Sequence, residues 1–324
     1  MKNHGLGSAF LFCLLLAPSL ASAAISLPIP WQQGMHVRYK SVSVQEKVRA
    51  GKHQRVETRE TSALDITRVD REGFVQVWHS ENPSVQVTGD TTTIAADRAL
   101  AEQLLNRFRN LPLQARLDRQ GAYKGIVNWQ DVAIAMREVM LPMLVRQAHA
   151  RPDLAKSDEA KLAAMLTPAL QRMTGEQAIN STVGRQIALF NYFTAASLAP
   201  HKSVSYQDSI ASPWSADLIP TTGSFEMTKV DIRTGTVTIV WKQTIDPVKG
   251  AAAAWKMVEA LAGKPLPKGK LPAGLPIGLS LVDQATVVLD RKSGLPLQLQ
   301  HRREVAFAGN SSIDTWTLDK VAAR

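Results

Sequence analysis

Acid–base or metal chemistry would be sought first among His36, His53, His79, His149, His201 and His301. No two of them stand four apart, the spacing that puts two imidazoles on one helix face, and none sits in a His-Glu-x-x-His zinc motif. They read as surface or hydrogen-bonded histidines. A Gly-x-Ser-x-Gly elbow and a Ser-x-x-Lys pair are both missing, so the commonest local signatures of exported hydrolases are absent. Gly263 to Lys270 resembles a phosphate loop, but five residues separate its glycines and Leu271 stands where Ser or Thr is required. Pro265 and Pro267 also remove amides that a phosphate would need. The Asp-to-Gly turns supply too few carboxylates for calcium. No catalytic group, metal-ligand set or cofactor motif is legible, and a reaction is not expected.

The remaining chemistry is apolar. Met136, Met140 and Met143 recur at helical spacing, and Phe190, Tyr192 and Phe193 follow on another amphipathic stretch. Flexible methionines beside aromatic rings can line an adaptable groove for an apolar, lipid-like ligand, although the same pattern also packs helices onto a sheet. A second candidate is the segment from Gly263 to Gly278, rich in Pro and Gly, where Lys264, Lys268 and Lys270 could meet a protein partner.

Residues 1–23 read as a cleaved secretory leader. Lys2 gives the positive start, Ala9 to Ala17 the apolar run, and Ala21-Ser22-Ala23 the small-x-small cleavage pattern. The apolar run is shorter than the roughly 20 residues needed to cross a bilayer. Cys13, the sole cysteine, lies inside it, so the exported chain is expected to hold together without disulfides, on a hydrophobic core alone. A periplasmic location is expected, with secretion the alternative. The chain has 38 basic and 28 acidic residues, a net charge of +10. The basic residues are scattered and not interleaved with aromatics, which argues against nucleic acid and leaves a basic surface facing anionic envelope material.

Strand signals dominate 24–130 and 200–324. Val56, Thr58, Glu60, Ser62, Leu64 and Ile66 share one side of an extended run; Val237, Ile239 and Trp241 share another, as do Leu295, Leu297 and Leu299. Four turns start with Asp and end with Gly: Asp70–Gly73, Asp118–Gly121, Asp231–Gly235 and Asp290–Gly294. The two regions also share local sequence. Lys40 to Glu46 (KSVSVQE) returns as Lys202 to Asp208 (KSVSYQD) at a spacing of 162, and Leu64 to Asp70 returns as Phe225 to Asp231 at 161. Each region carries a Trp-ended strand, at Trp78 or Trp241, and a helix, over roughly 95–109 or 249–262.

Between them, 131–199 reads as a three-helix insertion. The helices are expected over 131–150, kinked at Pro142, over 153–166, ending near Pro168, and from a capping box at Thr174-Gly175-Glu176-Gln177 onward. The fold class is therefore α+β, a duplicated, curved, half-barrel-like antiparallel sheet with the helical insertion packed on it, as one compact unit. The two halves could meet around a pseudo-twofold axis or be spaced apart by the helices. In outline this order resembles the half-barrel lipoprotein carriers of the Gram-negative periplasm, without a shared motif. A non-enzymatic carrier of a lipid-like ligand is the expectation, with an envelope scaffold protein as the alternative.

Overall fold

The computed structural model describes residues 23–322 except 91–93, 151, 153, 212–217, 247, 253, 254, 256–278 and 308. All but the last residue of the expected leader, Lys264, Lys268 and Lys270 with their loop, and most of the helix expected over 249–262 lie outside the described residues.

Alternating side chains and Asp-led turns produce long hairpins. The elements are β1 (Ile25–Ser26), β2 (His36–Arg49), β3 (Lys52–Asp70), β4 (Gly73–Gly89), α1 (Ile94–Arg109), β5 (Leu113–Leu117) and β6 (Tyr123–Ile126). Then come α2 (Trp129–His149), α3 (Glu159–Met173), α4 (Glu176–Thr182), α5 (Gly184–Asn191) and β7 (Ser197–Leu198). The chain ends with β8 (Ser203–Ala211), β9 (Leu218–Asp231), β10 (Thr236–Ile245), β11 (Ser280–Asp290), β12 (Pro296–Phe307) and β13 (Asn310–Lys320). β1 pairs with β7, and the other 11 strands form one antiparallel sheet in the order β6-β5-β4-β3-β2-β13-β12-β11-β10-β9-β8.

All four Asp turns form as the sequence predicts, with the carboxylate accepting from backbone amides two to four residues on. Asp70 takes Glu72 N at 2.8 Å, Asp118 takes Ala122 N at 2.9 Å, Asp231 takes Arg233 N at 3.0 Å and Asp290 takes Ser293 N at 2.6 Å. These bonds favour the charged form, and the four carboxyls lie below their ordinary range. Gly73 shows why the first turn closes on glycine: its φ is +135°, and a Cβ there would stand 2.1 Å from the Leu117 carbonyl oxygen.

Register separates the two sequence matches. Leu64 faces Trp78, and Phe225 faces Trp241. Both strands then skip one threonine in the ladder, Thr67 or Thr228, before the turn at Asp70 or Asp231. The spacing of 161 thus joins residues of like position. The heptapeptide spacing of 162 does not. Ser41 is buried on the helix-covered face, whereas Ser203 pairs with Glu226 and is exposed. A one-residue slip reverses every side chain of a strand. A twofold meeting of the halves is not what forms either: β13 lies between β2 and β12, and β2 and β8 run in the same direction six strands apart.

Among its described residues the insertion holds four helices, where three are expected from the sequence. α3 continues through Pro168 to Met173 instead of stopping before it. The capping box does not form, because Thr174 Oγ1 donates to the Leu170 carbonyl at 2.8 Å and Gly175 occupies the cap position. The last helix is interrupted at Val183, giving α4 and α5, and Gly184 there lies so close to Tyr123 that a Cβ would come within 2.0 Å of the phenol oxygen. Asn180 fastens α4 to the edge strand β6, accepting from Ile126 N at 2.7 Å and from the Tyr123 hydroxyl at 2.8 Å.

The end of α5 draws distant strands together. Phe190 meets Trp78 of β4 with ring centroids 4.9 Å apart, and Tyr192 meets Trp241 of β10 at 5.7 Å. Those strands are six steps apart in the sheet, roughly 29 Å if it were flat at about 4.8 Å per step. The sheet therefore bends around this helix end, and its main core lies between the two.

Candidate functional site

The sequence-predicted groove residues do not gather in one place. Phe190 is 2% exposed and packed by Trp31, Tyr39 and Trp78. Phe193, 3% exposed, joins Phe225 and Tyr192 in a second aromatic group that includes Tyr206. Tyr192 is 43% exposed. Met136 is half-buried against the main core, and Met140 and Met143 are half-buried elsewhere on α2, which packs mainly on other helices. These side chains hold the helices in place, and none of the six lines the cavity described next.

That cavity, of about 240 Å³, opens between α1, α5 and the sheet. Leu105 and Phe108 of α1, Val183 at the break between α4 and α5, Ile187 of α5, and the indoles of Trp78 and Trp316 supply apolar walls. No residue of α1 is fully buried, although Leu100, Leu104 and Phe108 give it the apolar face expected from its sequence. The floor is polar. Glu60 accepts from Ser62 Oγ at 2.9 Å and from Ser80 Oγ, while Trp316 Nε1 donates to Ser41 Oγ at 3.1 Å. An apolar chamber with a few placed polar groups is the common form of a small-molecule site, usually about 300–1,000 Å³, so this one suits a small or single-chain ligand.

A belt of polar side chains crosses the same face of the sheet beside the cavity. Gln45, Asp314, Arg303, Asp283 and Gln243 stand in one row on neighbouring strands. Gln45 Nε2 donates to Asp314 at 2.8 Å, Arg303 Nη1 to Asp283 at 3.0 Å, and Gln243 Nε2 to Thr221 Oγ1 at 2.9 Å. His301, one step along β12, shares a short hydrogen bond with Asp283, and both are almost completely buried. Burial alone would raise the Asp283 carboxyl, but the His301 hydrogen bond and the charges of His301, Arg303 and Arg185 outweigh it and hold it below the usual carboxylate range. Among the described residues, no serine or threonine hydroxyl is hydrogen-bonded to His301.

Arg185 of α5 and Lys47 of β2 also reach this belt, and neither has a hydrogen bond or ion pair among the described residues. Arg185 Nε is buried without a partner. Burial, then the neighbouring Arg303 charge, lowers the Arg185 guanidinium below its ordinary value, opposed by Asp283 and Asp314. Burial, then Arg49, does the same to Lys47, opposed by Asp314 and Asp97. Sequence reasoning missed the belt because its members come from positions 45, 185, 283, 303 and 314. The one usable signal was charged residues at alternate positions of otherwise apolar strands, as at Asp283 in β11.

Among the described residues, no group of three His, Cys, Asp or Glu side chains could hold a metal ion, and no helix is long and apolar enough to cross a membrane. No protein-family model matches the chain, and no curated protein matches it. Among solved structures, it is similar to one described as "lipid-protein interactions in lipovitellin", with a TM-score of 0.45 and 10% identity. The match covers 90% of this chain and 25% of that one, so the chain spans about a quarter of its neighbour's length. At that score the likeness carries no argument about what this chain does.

Proposed function

We propose that this chain is an exported, periplasmic binding or carrier protein for a lipid-like, largely apolar ligand, held between α1, α5 and a half-barrel-like sheet. The observation that carries the reading is the cavity of about 240 Å³ with aliphatic and indole walls and a serine-flanked carboxylate at its floor. α1 fits the part of a cover, since its Leu105 and Phe108 face the chamber while no residue of the helix is fully buried. The size argues for one short chain at a time. The leader pattern at residues 1–23 supports export, and the matched bulges at Thr67 and Thr228 support an origin of the sheet by duplication.

Organic extraction of protein purified from the periplasm, followed by mass spectrometry, tests the reading. A lipid or fatty acid recovered in stoichiometric amount supports it. An empty extract, together with failure of short-chain amphiphiles to change Trp78 and Trp316 fluorescence, would overturn it.

A further inference from the structure

The polar groups of the chamber gather on the sheet, while the helices close it with apolar side chains. Register fixes how near those polar groups stand. Glu60 is the partner of Ser41 across β2 and β3, and Ser62 is the partner of Ser80 across β3 and β4. All four line the chamber.

Charge in this chamber has one sign. Glu60 is the one acid of its lining, no Lys or Arg lines it, and Glu60 has no ion pair among the described residues. His79 also borders the space, but it alternates with Trp78 and Ser80, and its Nε2 turns to Asp65 at 3.3 Å on the other face of the sheet. The chamber thus reverses the balance of a chain with 38 basic and 28 acidic residues. Ser62 and Ser80 each donate to a different oxygen of Glu60, filling two of the roughly four acceptor sites of a carboxylate. The others can accept from a ligand.

The indoles favour the same partner. Trp78 Nε1 is committed to Gln76 and Trp316 Nε1 to Ser41, so both rings offer a ligand only their carbon surface. The Ser41 bond also ties Trp316 to the strand position opposite Glu60. Aromatic faces attract cations, and indole does so most strongly. A lone carboxylate and two indole rings in one apolar chamber are the surroundings that an ammonium group on an alkyl chain would fit.

We infer that the ligand is a cationic single-chain amphiphile, an alkylamine whose ammonium head donates to Glu60 and whose chain lies between α1, the start of α5 and the indoles. The inference rests on the apolar-ligand reading above and deepens it. An acidic head would meet the charge of Glu60 with no cation in the lining to offset it.

Calorimetric titration with decylamine, decanol, decanoate and ethylamine near neutral pH tests the assignment. Decylamine is expected to bind about tenfold or more tighter than decanol, on the scale of a hydrogen bond to a charged group, and decanoate weaker than either. The net charge of +10 attracts decanoate non-specifically, so a preference for decylamine cannot come from bulk charge. Glu60→Gln should bring decylamine down towards decanol; an unchanged preference in the folded variant overturns the role of Glu60. Should that variant fail to fold by circular dichroism, the comparison of head groups on the unaltered protein decides alone. Decanol or decanoate binding as tightly as decylamine overturns the head-group assignment and leaves the apolar site standing. Ethylamine binding as tightly as decylamine assigns Glu60 to a free amine and overturns the amphiphile. No binding by any decyl compound overturns both readings.

Discussion

Gln76 on β4 and Asn191 at the end of α5 exchange two hydrogen bonds, each 3.0 Å, with neither residue more than 1% exposed. Asn191 also donates to the Ile187 carbonyl at 2.8 Å, and Trp78 Nε1 donates to Gln76 at 3.2 Å. Buried amides cannot exchange a lost partner for water, so this pair sets the position of α5 on the sheet. The cavity and the aromatic groups follow from that position.

Replacing either amide alone leaves the other unsatisfied. Gln76→Leu and Asn191→Leu are each expected to cost about 1–3 kcal/mol in urea unfolding. The double variant should be less destabilised than the sum of the two, because neither orphaned amide remains. Strict additivity would show that the pair does not act as a unit.

Neighbouring rings at the end of α5, Phe190 and the cap residue Tyr192, should differ sharply in importance. Phe190→Ala opens a cavity among Trp31, Tyr39 and Trp78 and is expected to cost about 3–5 kcal/mol. Tyr192→Ala removes a ring that is 43% exposed and should cost less than about half as much. Equal losses in thermal melts would contradict the packing described.

Asp283→Asn leaves Arg303 and His301 without their counter-charge, and breaking such a buried pair typically costs about 3–5 kcal/mol. The folded carboxyl titrates below its unfolded value of about 3.9. Its stabilisation is therefore complete above that value and lost as pH falls through the lower folded one. Melting temperatures of the two proteins should differ by a steady amount near neutrality and converge below about pH 4. A gap that widens in acid would reverse the assigned sign.

Filling the chamber should separate binding from folding. Leu105→Trp puts an indole into the space between α1 and the sheet, at a cost of about 1–3 kcal/mol in stability. Affinity for a short-chain amphiphile such as decanol should fall by about tenfold or more, since a space of about 240 Å³ cannot hold both. Unchanged affinity in a folded variant would place the ligand elsewhere.

Much of the fold was legible locally. Alternation of period two marks β3 and β10, Asp-to-Gly spacing marks four turns, and Leu100, Leu104 and Phe108 mark α1, because each depends on residues a few positions apart. Competition at equally short range misled in two places. Thr174 bonded back to Leu170 instead of capping the next helix, and packing carried α3 through Pro168. The heptapeptide match misled differently: identity along a strand carries no information about which face a side chain takes.

The sequence by itself determined an α+β chain of long hairpins, with apolar residues on alternate positions and helices between the two strand regions. Tertiary structure decided that β13 joins β2 to β12, that the sheet bends around Phe190 and Tyr192, and that an apolar chamber opens between α1, the start of α5 and the sheet. The reason is physical. Turns and periodicity are set by neighbours in the chain, but the row running from Gln45 through Asp314 and Arg303 to Asp283 exists only once strand order and register have brought distant segments side by side.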